Sequence, residues 1–142
     1  MTENLSIQFE GKIVVITGST QGLGEDVARL FSQRGAEGLV ICGRNTFNGK
    51  KVADSIIGQG CQTYFVEADL ESVDECKKVI SEADSRYGRI DTLVNCAAMT
   101  DRGTILDTSP ELFDRMFATN ARAPFFLMQG ALTVSYTHLT LP

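Results

Sequence analysis

Short apolar runs alternate with amphipathic segments along this chain, a repeated change of period that marks strands and helices in turn. Ile13-Val14-Val15-Ile16 is β-branched and uninterrupted by polar residues, as a strand covered on both faces requires. A glycine-rich stretch from Thr17 to Gly24 follows at once. It leads into a helix with Val27, Ala28, Leu30 and Phe31 on its apolar side, closing near Gly35. Leu39-Val40-Ile41-Cys42 reads as the second strand, and Gly43-Arg44-Asn45 as the turn after it. A second helix is predicted around Lys50 to Ile57, closed by Gly58 or Gly60, and Thr63-Tyr64-Phe65-Val66 gives the third strand.

The third helix carries the clearest marks. Ser72 with Glu75 three residues on forms a capping-box pattern, and Val73, Cys76, Ile80, Ala83 and Tyr87 fall on one helical stripe. Ile90, Leu93 and Val94 predict a fourth strand ending at Asn95. A fourth helix starts near Ser109-Pro110, with proline at the first helical position, and is rich in apolar residues through Phe126 and Leu127. The order βαβαβαβα predicts an α/β fold: an open, doubly wound parallel sheet with right-handed crossovers and helices on both faces.

Composition narrows the function classes. The chain has 142 residues, 43% hydrophobic and 22% charged, which suits a single globular domain. The formal net charge is −5, with no block of like charges, so neither nucleic acid nor an anionic membrane is an expected partner. No apolar run of about 18 residues occurs, and Met1 to Gly11 lacks the pattern of a secretion signal; the expectation is a soluble, cytoplasmic chain. Cys42, Cys61, Cys76 and Cys96 are widely spaced and His138 is the single histidine, so no metal site is expected and the cysteines read as small core residues.

Two features carry candidate chemistry. Gly18-x-x-x-Gly22-x-Gly24, placed between a buried strand and a helix, presents main-chain N–H groups and a positive helix end to a pyrophosphate. Such a turn can also be purely structural, but its placement favours nucleotide binding. Gly18 would make the sharp turn, Gly22 would admit the phosphates, and Gly24 would allow close helix packing. No Lys-Ser/Thr follows, which argues against a P-loop. At the end of the second strand a carboxylate would favour NAD and a cation NADP. Gly38 to Ala53 contains no Asp or Glu and holds Arg44, Lys50 and Lys51, so NADP is expected over NAD, unless Arg44 is simply a solvated turn residue.

Thr17-Gly18-Ser19-Thr20-Gln21-Gly22-Leu23-Gly24, Asp69-Leu70, Asn95-Cys96-Ala97-Ala98 and Asn120, in this order on these elements, resemble the short-chain dehydrogenase/reductase family. The resemblance runs from about Gly11 to Leu132 and implies a Rossmann-type fold. It implies that Gly18, Ser19, Thr20, Gln21, Gly22, Leu23 and Gly24, with Arg44 and Asn45, surround the cofactor phosphates and adenosine ribose. By the same resemblance Asp69 bonds the adenine amino group, and the Leu70 main chain lines that pocket. Asn95 steadies the central strand, Ala97 and Ala98 pass the cofactor ribose, and the Asn120 carbonyl holds a water of the proton relay. Cys96 and Ala98 depart from the family's asparagine and glycine.

The family implies an oxidoreductase acting on a carbonyl or alcohol substrate, NADP(H)-preferring by the Arg44 reading, and often a homo-oligomer through the fourth helix. Its catalytic serine and Tyr-x-x-x-Lys are expected beyond the fourth helix. Four residues after Tyr136 stands Thr140 instead of Lys, so this chain contains no such motif. Thr133 to Pro142 also lacks the family's next turn and strand. The expectation is a partial domain over 11–132, an N-terminal extension over 1–10 and a tail over 133–142 of doubtful origin, foreign to the domain or else a genuine disordered terminus, with strand four unpaired on one side and no activity of the chain alone. The alternative is a non-catalytic nucleotide-binding or interaction module.

Overall fold

The computed structural model describes residues 7–138. Four parallel strands, β1 (Ile13–Thr17), β2 (Gly38–Gly43), β3 (Gln62–Glu67) and β4 (Thr92–Asn95), form one sheet in the order β3-β2-β1-β4. From β1 the chain moves outward through β2 to β3, then returns to place β4 on the opposite side of β1. The strand order therefore reverses at the carboxyl ends of β1 and β4, where open α/β sheets leave a crevice. This is the α/β, doubly wound, Rossmann-type sheet expected from the sequence, and it is not closed.

Burial explains why β1 and β2 read as continuous apolar runs. Val14, Ile16, Leu39 and Ile41 face one layer, packed under α1 (Gly22–Gln33) and α2 (Thr46–Ile57) with Ala28, Val52, Ala53 and Ile56. Val15, Val40 and Cys42 face the other, with Cys76, Val79, Ile80 and Ala83 of α3 (Val73–Tyr87) and Ala123, Leu127 and Ala131 of α5 (Ala123–His138). The edge strand β3 alternates exposed and buried positions, and β4 is half-buried. Ser72 caps α3 through its hydroxyl, which accepts the Glu75 N–H, and Gly88 closes that helix at φ +68°.

Two expectations are corrected. Helix α2 begins at Thr46 instead of near Lys50, because the Asn45 side chain accepts the Asn48 N–H at 2.9 Å and starts the helix a turn earlier. Gly49, in the first turn of this earlier start, is a packing residue: a Cβ there would lie 2.1 Å from the Phe65 ring. The single fourth helix is instead α4 (Pro110–Phe117), a π turn (Ala118–Arg122) and α5, with the Ala123 N–H reaching back to the Ala118 carbonyl. An inserted residue of this kind bends a helix and often marks a functional site. Helix α5 continues through the first residues of the segment expected to be foreign; Val134 is buried and the Ser135 hydroxyl donates to the Ile90 carbonyl at 3.2 Å. The remainder, from 139, lies outside the described residues. No helix among the described residues is long and apolar enough to cross a membrane.

Ile41, fully buried at the centre of the sheet, tests the core. Ile41→Ala should lower unfolding free energy by about 3 kcal/mol, read as a fall in the urea midpoint at unchanged slope.

Candidate cofactor site

The site is built on main chain that no side chain obstructs. At the end of β1, Gly18 turns at φ +62°, and a Cβ there would fall 2.6 Å from the Ala97 Cα. A Cβ on Gly24 would fall 2.2 Å from the Gly18 carbonyl oxygen. The first turn of α1 is therefore pressed onto the bend itself as well as onto the sheet. Gly22, at φ +57°, is different: a Cβ there would meet no atom within 4 Å, because that side of the turn is open space. Gln21 precedes the helix without a side-chain cap, which leaves the first N–H groups of α1 pointing outward without internal partners. Close main-chain packing behind and open space in front form the cradle that a phosphate group requires.

Buried polar groups hold this turn in register. Ser19 is fully buried; its hydroxyl donates to the Ile16 carbonyl at 2.7 Å and accepts the Cys42 N–H at 3.1 Å, while its own N–H donates to the Cys42 carbonyl. The β1–β2 ladder is in effect continued past Thr17 by a side chain. The buried Thr17 hydroxyl accepts the Ala97 N–H at 3.1 Å and so fixes the chain leaving β4.

A cavity of about 360 Å³ opens in front of the turn. Of the sequence candidates, Gly18, Thr20, Gln21, Gly22, Leu23, Gly24, Arg44, Asp69, Leu70, Ala97 and Ala98 line it. Ser19, Asn45 and Asn95 do not: Ser19 lies beneath the turn, Asn45 caps α2, and Asn95 ends β4 exposed to solvent. Asn120 also stands outside the lining. Its Oδ1 accepts the Met99 N–H at 2.8 Å and its Nδ2 donates to the Met99 carbonyl at 2.7 Å, so both ends of the amide grip the main chain after β4.

Sequence reasoning passed over Glu71, Met99, Arg115 and Thr119 in the lining. The Arg115 guanidinium meets the Glu71 carboxylate through Nε at 3.2 and 3.3 Å and Nη2 at 3.1 Å, and the Arg122 guanidinium donates to the Glu71 carbonyl. Arg115 and Thr119 lie four residues apart, one turn along the helix that leads to Asn120. That spacing was the available signal. The Glu71 carboxylate holds Arg115 more firmly in its charged form. Arg44, in contrast, has no ion-pair partner among the described residues.

A parallel doubly wound sheet with an open glycine turn and a cavity at its strand-order reversal defines the class of nucleotide-binding α/β proteins. The chain matches the short chain dehydrogenase family over residues 12–136 and belongs to that family. It is 29% identical over 136 residues to versicolorin reductase 1 of Dothistroma septosporum, covering 96% of this chain and 50% of that one. It is 31% identical over 134 residues to trihydroxynaphthalene reductase of Colletotrichum orbiculare, covering 94% and 46%. Among solved structures, L-sorbose reductase from Gluconobacter frateurii complexed with NADPH and L-sorbose superposes with TM-score 0.88 at 26% identity, over 93% of this chain and 50% of that one. A metagenomic short-chain oxidoreductase in complex with NADP gives TM-score 0.83 at 26% identity. The chain spans about half the length of the curated relatives it matches.

Burial beneath the site has a pH consequence. Desolvation pushes the Cys42 thiol from 9.0 up to about 12, and also raises Tyr87 to about 12. Between these values and the ordinary ones the unfolded chain releases protons that the folded chain retains, so stability is intact below pH 9 and falls as pH rises toward 12. Urea titrations at increasing pH should show this loss, on the order of 1 kcal/mol per pH unit for Cys42. Cys42→Ala should flatten the slope.

Proposed function

We propose that this chain forms the nucleotide-holding half of an NADP(H)-preferring oxidoreductase that moves hydride between the nicotinamide and a small-molecule carbonyl or alcohol substrate. The observation that carries the cofactor reading is the charge balance of the cavity. Arg115 is neutralised by Glu71, whereas Arg44, at the end of β2, is exposed and unpaired among the described residues. A free guanidinium with no carboxylate beside it on β2 suits a ribose 2′-phosphate and gives nothing to a bare 2′-hydroxyl. Solved relatives described as complexes with NADPH or NADP support the same choice.

The residues present fit a dinucleotide phosphate. The open side of Gly22 and the uncapped start of α1 would receive the pyrophosphate. Asp69 would accept from the adenine amino group beside the Leu70 main chain, and the small Ala97 and Ala98 would let the nicotinamide ribose pass. The bound nicotinamide supplies or accepts the hydride. Ser19 supports this cradle from beneath, and Asn45 starts the helix after Arg44. Asn120 anchors Met99 with its side chain, which leaves its main-chain carbonyl, in the π turn, as the group for a relay water.

The chain contains no Tyr-x-x-x-Lys, so the acid–base step is assigned to residues outside it, and the 142 residues alone are expected to bind without turning over. This absence also favours the second reading, a nucleotide-binding or interaction module without chemistry. A cytoplasmic location and association of copies through the exposed Phe113, Phe117 and Phe125 belong to the same proposal.

Calorimetric titration tests the assignment. NADPH should bind more tightly than NADH, and Arg44→Ala should weaken NADPH about tenfold or more while leaving NADH nearly unchanged, as expected for loss of a charge-assisted contact. Equal losses for both cofactors would remove Arg44 from the 2′-phosphate. Incubation with NADPH and a panel of ketones should give no oxidation above the blank.

A further inference from the structure

We infer that Arg115, oriented by Glu71, is the residue that covers the adenine ring: its guanidinium plane forms one wall of the base slot and selects for a purine by stacking, independently of any phosphate. The inference rests on the nucleotide reading above and deepens it.

Three observations lead there. The Glu71–Arg115 pair ties α4 to the loop after β3, so Arg115 stands in the cavity lining beside Glu71, two residues past Asp69. The carboxylate engages the guanidinium edge formed by Nε and Nη2, which fixes the plane of the group while leaving its faces and Nη1 unbonded to that partner. Glu71 is in turn held at three points: the Asp69 carboxylate accepts its N–H at 3.1 Å, Arg122 donates to its carbonyl, and Arg115 takes its side chain.

Arg115 lines the same cavity as Ala68, Leu70 and Thr119, so a base entering there would meet small or apolar side chains and one planar guanidinium. Arginine stacks on aromatic rings in this manner, and lysine does not replace it. With the Glu71 carboxylate beside it, Arg115 attracts an anion less than Arg44, which has no ion-pair partner among the described residues. Arg44 and Arg115 therefore divide the work: one reads the phosphate, the other the base. Glu71 is a positioning residue in this scheme.

The test uses the full chain and three ligands that share adenosine and differ in the 2′-phosphate and the nicotinamide: NADPH, NADH and adenosine 2′,5′-bisphosphate. Arg115→Ala should weaken all three alike, about two- to fivefold, the range of a cation–aromatic contact at an exposed site. Arg115→Lys should recover little of this. Glu71→Gln should weaken all three by a smaller common factor. Arg115 is half exposed, so these variants should keep the wild-type Tm, and the lysine variant tests the idea even if alanine impairs folding. Unchanged affinities in Arg115→Ala would overturn the inference. So would a loss confined to the two 2′-phosphorylated ligands, full rescue by lysine, or a selective gain for those ligands in Glu71→Gln, each of which makes Arg115 a phosphate contact. Failure of the wild-type chain to bind any of the three would instead overturn the nucleotide reading itself.

Discussion

Three stretches of main chain meet around Gly18 with no room for a side chain between them, and the remaining structure is arranged to keep them there. The start of α1 rests on the Gly18 carbonyl, and the chain leaving β4 passes against the Gly18 Cα. Thr17 and Ser19, both buried, bond across to Ala97 and Cys42. Main-chain contacts this close need buried hydrogen bonds to hold them, since apolar packing alone fixes neither direction nor register. The two layers of aliphatic side chains supply the rigidity, and these few polar bonds set the shape of the crevice.

The cavity inherits an asymmetry from this construction. Its back wall is main chain and small residues at a fixed distance. Its rim is made of longer side chains on three different elements: Arg44 after β2, Glu71 after β3 and Arg115 on α4. In the proposed reading, chemistry common to any dinucleotide would fall on the rigid part, and discrimination between related ligands on side chains that substitution changes without disturbing the fold.

What the sequence made legible follows the range of the interactions involved. The strands β1 and β2 are evident because burial on both faces demands an unbroken β-branched run, and the turn is evident because Gly18, Gly22 and Gly24 are local. The start of α2 was hidden because Asn45, Asn48 and Gly49 are turn formers in isolation, and only the Phe65 ring, brought close by folding, explains Gly49. The π turn was hidden because Ala-Thr-Asn-Ala-Arg reads as ordinary helix. The Glu71–Arg115 pair joins residues 44 positions apart, and no local pattern announces such a contact. Asn120 was singled out by the resemblance alone, and the two bonds of its amide to Met99 needed coordinates.

The π turn has a geometric effect on the outer surface as well. Successive α-helical residues advance by about 100°, so Phe125 would sit roughly 80° away from Phe117 in an unbroken helix. With one residue absorbed by the wider turn, the offset shrinks to about 20°. Phe113 and Phe117 before the insertion thus fall in line with Phe125, Met128, Leu132 and Tyr136 after it, all of them solvent-facing. A single added residue converts two misaligned helical segments into one continuous apolar ridge, with the bend that serves the crevice on one side setting the phase of the ridge on the other.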